Sequence, residues 1–237
     1  MRAGGIRIGA AAALLLCGGA QAGPQADAKK LFDKASQQAQ PPVTFADGSI
    51  RWADGSQVHK LPGSGAVIVK ATHLALDTDG ASADVRQCDS TSQADTALAG
   101  PNGGPIDANA TPYIVLPWCG DSADKARCET NPPYRQLGLQ KGDLAAVIVG
   151  DRIAYAISGD LGPEKKFGEG SIDLHRQLGH EVVGAIHEKP MCAANVSLAQ
   201  ETYLVIFPKS NHQWLSNSDI EAAGTRLWKA LLAAEGN

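Results

Sequence analysis

The sequence predicts a mostly β protein: one small β-barrel domain with a few short peripheral helices and a C-terminal helix. Short apolar segments bounded by turn residues recur along the chain. The 237 residues include 26 glycines and 13 prolines, which favour many turns over long helices. Helical periodicity is confined to a few stretches. The composition does not change abruptly anywhere after residue 22, so we expect residues 23–237 to form one domain.

The first 22 residues have the features of a secretory signal peptide. Two arginines precede an apolar run from Ile8 to Cys17, and residues 20–22 (AQA) offer the small side chains that a signal peptidase requires. We therefore expect cleavage after residue 22 and an exported protein. A membrane anchor is disfavoured because the apolar run is too short to span a bilayer. Lipoprotein processing at Cys17 is disfavoured by the bulky leucine before it.

The first elements of the expected mature chain are a helix, a hairpin and a strand. Residues 27–40 carry a helical pattern that two prolines stop. Residues 43–61 contain two Asp-Gly turns between alternating segments, which predicts a hairpin. The apolar residues 66–69 predict a buried strand, and the chain after them reaches a turn at residues 77–80.

The middle of the chain predicts a long loop followed by three strands. Residues 86–110 are rich in Ser, Thr, Asp, Gly and Pro, which indicates irregular structure. The apolar run at 111–117 predicts a strand. Residues 142–160 read as two strands joined at Gly150-Asp151, which predicts a second hairpin.

The last elements are two helices with a strand between them. Residues 170–179 predict a short helix with Ser171 as N-cap and Gly179 as its C-terminal stop. Residues 201–208 predict a strand, and the amphipathic residues 217–234 predict the C-terminal helix.

Four cysteines remain after the predicted cleavage, which in an exported chain suggests two disulfides with three possible pairings. Cys119 and Cys128 flank a polar loop and could close it locally, which would leave Cys88 to pair with Cys192. A zinc site is the alternative, and it is disfavoured because no two cysteines have CxxC spacing.

The charge balance limits the classes of partner. Without the predicted signal peptide the chain has 19 basic and 25 acidic residues, a net charge of −6. Nucleic-acid binding requires a basic face, so we expect no nucleic-acid partner. A cationic partner fits this charge better. No later stretch is apolar enough to span a membrane, so we expect no membrane partner.

Asp160 and Glu169 are the strongest candidates for catalysis. They lie nine positions apart in GDLGPEKKFGEGS, residues 159–171, where Asp160 ends an alternating strand. The four glycines in this run permit backbone torsions that other residues resist. Two carboxylates facing each other across a sugar bond are the catalytic pair of most glycosidases. The alternative is an ordinary surface turn followed by a helix cap.

The remaining candidate groups give weaker signals. Asp77 and Asp79 in LDTDGA resemble the start of a calcium loop, but the later ligands are missing, so we expect no metal. Asp143 follows a glycine at the start of a strand. The six histidines lack HExxH spacing, and no Gly-x-Ser-x-Gly motif appears, which disfavours a zinc protease and a serine hydrolase.

Taken together, several stretches resemble the chitosanases of glycoside hydrolase family 75. They are LDTDGA, DANATPYIVLP, the block from residue 138 to residue 179, and TYLVIFP. The resemblance extends from about residue 70 to about residue 228. The 138–179 block is specific, because a strand, Gly-Asp-x-Gly-Pro, Gly-Glu-Gly-Ser and Leu-Gly follow one another in one order. The loop from Cys119 to Cys128 and the polar segment 86–110 depart from the family pattern.

The resemblance implies that residues 23–237 are one catalytic domain, a β-barrel that we expect to be of the double-psi type. It implies endo-hydrolysis of β-1,4 glucosamine linkages in chitosan with inversion, and no cofactor. The family's two essential acids fall on Asp160 and Glu169. Asp77, Asp79 and Asp143 are candidates for substrate contacts, with a purely structural role as the alternative for each. We expect a monomer.

The roles of the two acids follow from their expected surroundings. Glu169 precedes a predicted helix N-terminus, which favours a charged carboxylate, so we predict Glu169 as base and Asp160 as acid. The reverse assignment stays open. Tyr113, Tyr155 and Trp118 could stack on sugar rings, with a core position as the alternative. A noncatalytic carbohydrate-binding module and a peptidoglycan-lytic enzyme are the alternative functions.

Overall fold

The computed structural model describes residues 23–86, 91–184, 191–192 and 197–236, so the predicted signal peptide lies outside it. No helix within this part of the chain is long and apolar enough to cross a membrane. The helices and strands follow in this order: α1 Pro24–Ser36, β1 Gln57–Lys60, β2 Val67–Ala71, β3 Ala75–Asp77, α2 Ala83–Arg86, β4 Tyr113–Pro117, α3 Lys125–Thr130, α4 Pro133–Gln136, β5 Leu144–Val149, β6 Arg152–Gly162, β7 Glu169–Ser171, α5 Ile172–Gln177, β8 Val183–Gly184, β9 Met191–Cys192, β10 Thr202–Phe207 and α6 Asn217–Glu235.

Eight of these strands form one curled sheet in the order β1-β2-β10-β5-β6-β4-β7-β3. Neighbours are antiparallel from β1 to β6, whereas β6 pairs with β4 and β7 pairs with β3 in parallel. The mostly β class predicted from the sequence is therefore confirmed. The closed barrel and its double-psi type stay predictions, because the sheet describes half a barrel.

Apolar packing covers both faces of the sheet. Helices α1 and α6 pack on one face through Leu31, Phe32 and Trp228. The other face is covered by a second cluster that includes Trp52 and Phe167. Because both faces are covered, every residue of β5 and of β10 is buried, and these strands read as continuous apolar runs in the sequence.

Most predicted elements are present close to their expected positions. The predicted hairpin at 142–160 forms from β5 and β6, which turn at Gly150. Ser171 caps α5, since its Oγ accepts a hydrogen bond from Leu174 N, and Gly179 follows the helix with φ 77°. Ser216 caps α6 in the same way. Arg86, the first residue of the predicted long loop, ends α2, and the rest of its described part, residues 91–110, contains no named helix or strand.

The predicted hairpin at 43–61 is wrong. Both Asp-Gly turns form, but residues 43–56 contain no strand, and β1 pairs with β2 instead. The Asp47 and Asp54 side chains accept hydrogen bonds from the backbone N–H two residues on, which holds compact turns rather than a ladder. Helix α1 also begins earlier than predicted, because Pro24 is suited to the first helical turn.

The local disulfide between Cys119 and Cys128 is present, with the two Cα atoms 5.7 Å apart. Both cysteines are buried beneath the polar loop that they close. Cys88 and the side chain of Cys192 lie outside the described residues, so their pairing stays a prediction.

A buried histidine links α5 to the edge of the sheet. His175 is fully buried, and its Nε2 lies 3.1 Å from the carbonyl oxygen of Ala75 in β3. A carbonyl oxygen can only accept, so Nε2 carries the proton and Nδ1 accepts from His180 Nδ1 at 2.9 Å. Burial lowers the pKa of His175 to about 4.

We predict that His175 makes the protein less stable in mild acid. The unfolded histidine takes up a proton near pH 6.5 and the folded one only near pH 4, so this group costs about 3 kcal/mol of unfolding free energy across that window. Other groups also titrate in this window, so the test is the change in unfolding free energy between pH 7.5 and pH 4, measured by urea unfolding in each protein. This change should be about 3 kcal/mol more unfavourable in the wild type and in the control His212→Gln, an exposed histidine, than in His175→Gln. An unchanged pH dependence in His175→Gln would contradict the prediction.

Candidate active site

Five carboxylates line one cavity of about 400 Å³, and four of them belong to the sheet strands and the turn after β3. Asp77 ends β3, Asp79 lies in the turn after it, Asp160 lies in β6, and Glu169 begins β7. Other residues that line the cavity include Trp118, Gly120, Asp121, Lys125, Gly162 and Lys166. The two acids predicted to be catalytic and two of the three predicted substrate-binding acids therefore lie around one space.

The sheet brings these strands together at its β3 edge. Strand β6 pairs with β5 as far as Ile157 and then continues beside β4 to Gly162. A bulge beside Gly159 shifts the register, so that Asp160 lies opposite Val115 in β4. Strands β7 and β3 follow next in the sheet. A bulge changes the direction in which a following side chain points, which is a common feature beside functional sites.

Backbone N–H groups hold the Asp160 carboxylate in place. The Oδ1 atom accepts two hydrogen bonds of 2.8 Å, from Ala97 N and from Leu161 N. The residue is 5% exposed. Burial raises the pKa of Asp160 and the nearby charge of Glu169 raises it further, whereas the two backbone hydrogen bonds and a hydrogen bond with the Asp79 side chain oppose both effects.

Asp77 and Asp79 are also held by the backbone. Asp77 Oδ1 accepts from Asp79 N at 2.8 Å, and Asp79 Oδ1 accepts from Gln93 N. The pKa of Asp77 lies well above its usual range because of burial and then because of the charge of Asp79. Asp79 also forms a hydrogen bond with the Asp160 side chain. A hydrogen bond between two carboxyl groups requires that one of them carries a proton.

Glu169 has a different environment from Asp160. Its Oε1 forms a salt bridge of 2.5 Å with Lys166 Nζ, and its side chain is 17% exposed. Asp160, by contrast, has no cation paired with it in the hydrogen bonds described above. The cavity thus contains a buried carboxyl group that favours its proton and a second one that is paired with a cation.

The glycines of this region act mainly by close packing, which differs from the prediction that all four supply unusual torsions. Gly168 alone among Gly159, Gly162, Gly168 and Gly170 has a positive φ, of 77°. At Gly162 a Cβ atom would lie 2.7 Å from Val115 Cγ1 and 3.1 Å from Glu169 Oε2. The absence of a side chain at Gly162 therefore leaves room for the Glu169 carboxylate.

Asp143 lies apart from the carboxylates that line the cavity. It is fully buried, and it is not among the residues that line the cavity. Its Oδ2 accepts from Gln140 N at 2.9 Å and its Oδ1 from Ser210 N at 3.1 Å, while burial raises its pKa to about 6. These contacts favour the structural alternative for Asp143, and its contact with substrate stays a prediction.

Of the three aromatic candidates, Trp118 lines the cavity. Lys125 Nζ lies 5.2 Å from the centroid of its ring. Tyr113 is buried and donates its hydroxyl hydrogen bond to the carbonyl oxygen of Asp79, which gives it a supporting role. Tyr155 is buried against Gly224 of α6, which is a core position.

Lys166 and Asp121 line the cavity and were missed from the sequence. Lys166 precedes Glu169 by three positions, a spacing that brings side chains together in a helix. The sequence predicts a loop here, so this spacing did not predict the salt bridge. Asp121 lies in the loop closed by Cys119 and Cys128, where acidic residues are ordinary surface residues by default.

The oxygens of Asp77, Asp79 and Asp160 lie within 4.8 Å of one another, close enough to hold a metal ion. Three carboxylate oxygens suit a hard cation such as calcium or magnesium. They equally suit an ammonium group, which interacts with carboxylates through charge and hydrogen bonds. Within the described residues this is the one cluster of metal-ligating side chains at such distances.

The model of one protein family matches residues 74–230, about two thirds of the chain. Its description is fungal chitosanase of glycosyl hydrolase group 75. The matched range contains all five carboxylates of the cavity and excludes the first 73 residues. No curated protein matches the chain.

We predict that Gly162→Ala disturbs the cavity and the fold together. The added methyl group would overlap Val115 and press on the Glu169 carboxylate, and overpacking of this kind costs about 1–3 kcal/mol. Urea unfolding should show this loss. The control is Gly104→Ala, where a Cβ atom would meet nothing within 4 Å. Equal stability of the two variants would contradict the packing argument.

Proposed function

The chain belongs to the fungal chitosanases of glycosyl hydrolase group 75, and we propose that it is an endo-chitosanase that hydrolyses β-1,4 glucosamine linkages with inversion. The observation that carries the proposal is that Asp160 and Glu169 line one cavity in different electrostatic environments. Inverting glycosidases need this pair: one protonated carboxyl group and one ionised carboxylate.

Asp160 is the proposed general acid. Its raised pKa favours the protonated form in mild acid, so the carboxyl group can give its proton to the departing glycosidic oxygen. The loss of that proton at higher pH would remove the acid. Activity is therefore expected to fall as the pH rises through the raised pKa of Asp160.

Glu169 is the proposed general base. Its carboxylate, paired with Lys166, would take a proton from a water molecule as that water attacks the anomeric carbon from the opposite face of the sugar. The bond to the leaving oxygen breaks as Asp160 protonates it. The product then has the inverted anomeric configuration, and one water molecule has been consumed.

The acidic cavity suits a cationic sugar chain. Glucosamine units carry ammonium groups in mild acid, and carboxylates bind such groups through charge-assisted hydrogen bonds. Asp77 and Asp79 are the proposed substrate contacts, and Asp121 at the cavity wall is a further one. Trp118 lines the same space. We also propose that the protein is exported and acts as a monomer without a cofactor.

We predict that Asp160→Asn and Glu169→Gln each lower kcat on chitosan by about 10³-fold, because each removes one proton-transfer group. Reducing-end release from chitosan is the measurement. Asp107→Asn is the matched control, an exposed carboxylate outside the cavity that should keep the wild-type rate. Near wild-type activity in either acid variant, with the fold intact by circular dichroism, would contradict the mechanism.

The same assay separates the alternative functions. A noncatalytic module would bind chitosan without releasing reducing ends, and a peptidoglycan-lytic enzyme would act on cell walls and not on chitosan.

Azide distinguishes the general acid from the general base. It should restore activity to Glu169→Ala with an inverted glycosyl azide as product. Rescue of Asp160→Ala instead would reverse the assignment.

A further inference from the structure

The loop of residues 163–168 joins the two strands that carry Asp160 and Glu169, and it contains no strand. It includes Lys166, which forms the salt bridge with Glu169. Its two ends are held outside the sheet ladder, where Glu164 N donates to Asp121 Oδ1 and Gly168 O accepts from Ala75 N, each at 2.7 Å. Between these ends the loop is held by residues 45–56, which we call the N-terminal clamp.

The clamp forms hydrogen bonds with backbone atoms of the loop at two neighbouring points. Ala53 N donates to Lys165 O at 2.9 Å. Phe167 N donates to Asp54 Oδ2 at 2.7 Å. These hydrogen bonds fix the backbone on both sides of Lys166.

Side chains add further contacts between the two segments. The ring centroids of Trp52 and Phe167 lie 5.3 Å apart, and Phe167 is 1% exposed. Glu164 Oε1 accepts a hydrogen bond from Ala46 N. Lys165 Nζ forms a salt bridge with Asp47.

Lys166 is the exception in this loop. Its neighbours Lys165 and Phe167 contact the clamp, whereas Lys166 lines the cavity and pairs with Glu169. The clamp therefore determines which side of the loop faces the cavity. It lies entirely before residue 74, where the family match begins.

We propose that Asp54 is a positioning residue, which fixes Phe167 and thereby the placement of Lys166 and Glu169 in the cavity. The proposal rests on the proposed function. Ser56 holds the Asp54 carboxylate rigidly, since its N–H and its hydroxyl donate to the two oxygens at 2.9 Å each. A carboxylate fixed in this way presents Oδ2 to Phe167 N at a set position, which is how supporting residues preorganise a site.

The test compares Asp54→Ala, Asp54→Asn and Asp107→Ala with the wild type, below the unfolding temperature of every variant. Asp54→Ala should lower kcat on chitosan at least 10-fold with KM within about 3-fold, because the loss affects alignment rather than binding. Asp54→Asn keeps one of the two acceptor oxygens, which can serve Phe167 N or Ser56 N but not both, so its kcat should lie between those of Asp54→Ala and the wild type. Asp107→Ala removes a similar turn hydrogen bond, which Asn109 N donates, and should match the wild type.

Hydrogen exchange provides a second readout that does not need activity. The peptide of residues 163–169 should exchange at least 10-fold faster in Asp54→Ala and at the wild-type rate in Asp107→Ala. Unchanged exchange in Asp54→Ala would overturn the proposal, and so would faster exchange with a wild-type kcat. If the wild type releases no reducing ends from chitosan, the proposed function fails, and exchange alone decides whether Asp54 holds the loop.

Discussion

Mutual repulsion among four carboxylates is the constraint on which the cavity depends. Asp77, Asp79, Asp160 and Glu169 share a space of about 400 Å³, where like charges disfavour one another strongly. Hydrogen bonds from backbone N–H groups to the three aspartates and the ammonium group of Lys166 oppose this repulsion. The remaining repulsion is relieved when a carboxyl group takes up a proton. Burial raises the pKa of Asp77 and of Asp160, so these two groups favour the protonated form.

The fold makes this crowding possible by placing rigid backbone around the cavity. Strands β6, β4, β7 and β3 are neighbours in the sheet, and apolar clusters pack both faces of that sheet. His175 ties α5 to β3, and the N-terminal clamp ties down the loop before β7. Groups far from the cavity therefore take part in setting where its charges lie, because β3 and β7, which carry Asp77 and Glu169, are only three residues long each.

The sequence predicted the elements whose signals are local. The β5–β6 hairpin, the Ser171 cap and the C-terminal helix each follow from turn residues, capping residues or apolar periodicity. Strands β3 and β7 were not predicted, because three residues cannot show a period and their pairing is set by tertiary contacts. Asp160 and Glu169 were selected from their glycine-rich setting and the family resemblance. The Lys166 salt bridge and the separate position of Asp143 depend on side-chain placement, which spacing along the chain does not encode.

The central claim is that burial and the Glu169 charge keep the Asp160 carboxyl group protonated above its usual range. A carbon-13 NMR titration of the Asp160 side-chain carboxyl group in the wild type and in Glu169→Gln tests this most directly. The account predicts a pKa above 3.8 in the wild type and a lower value in Glu169→Gln, where the like charge is gone while the burial remains. An Asp160 that titrates at or below 3.8 in the wild type would contradict it.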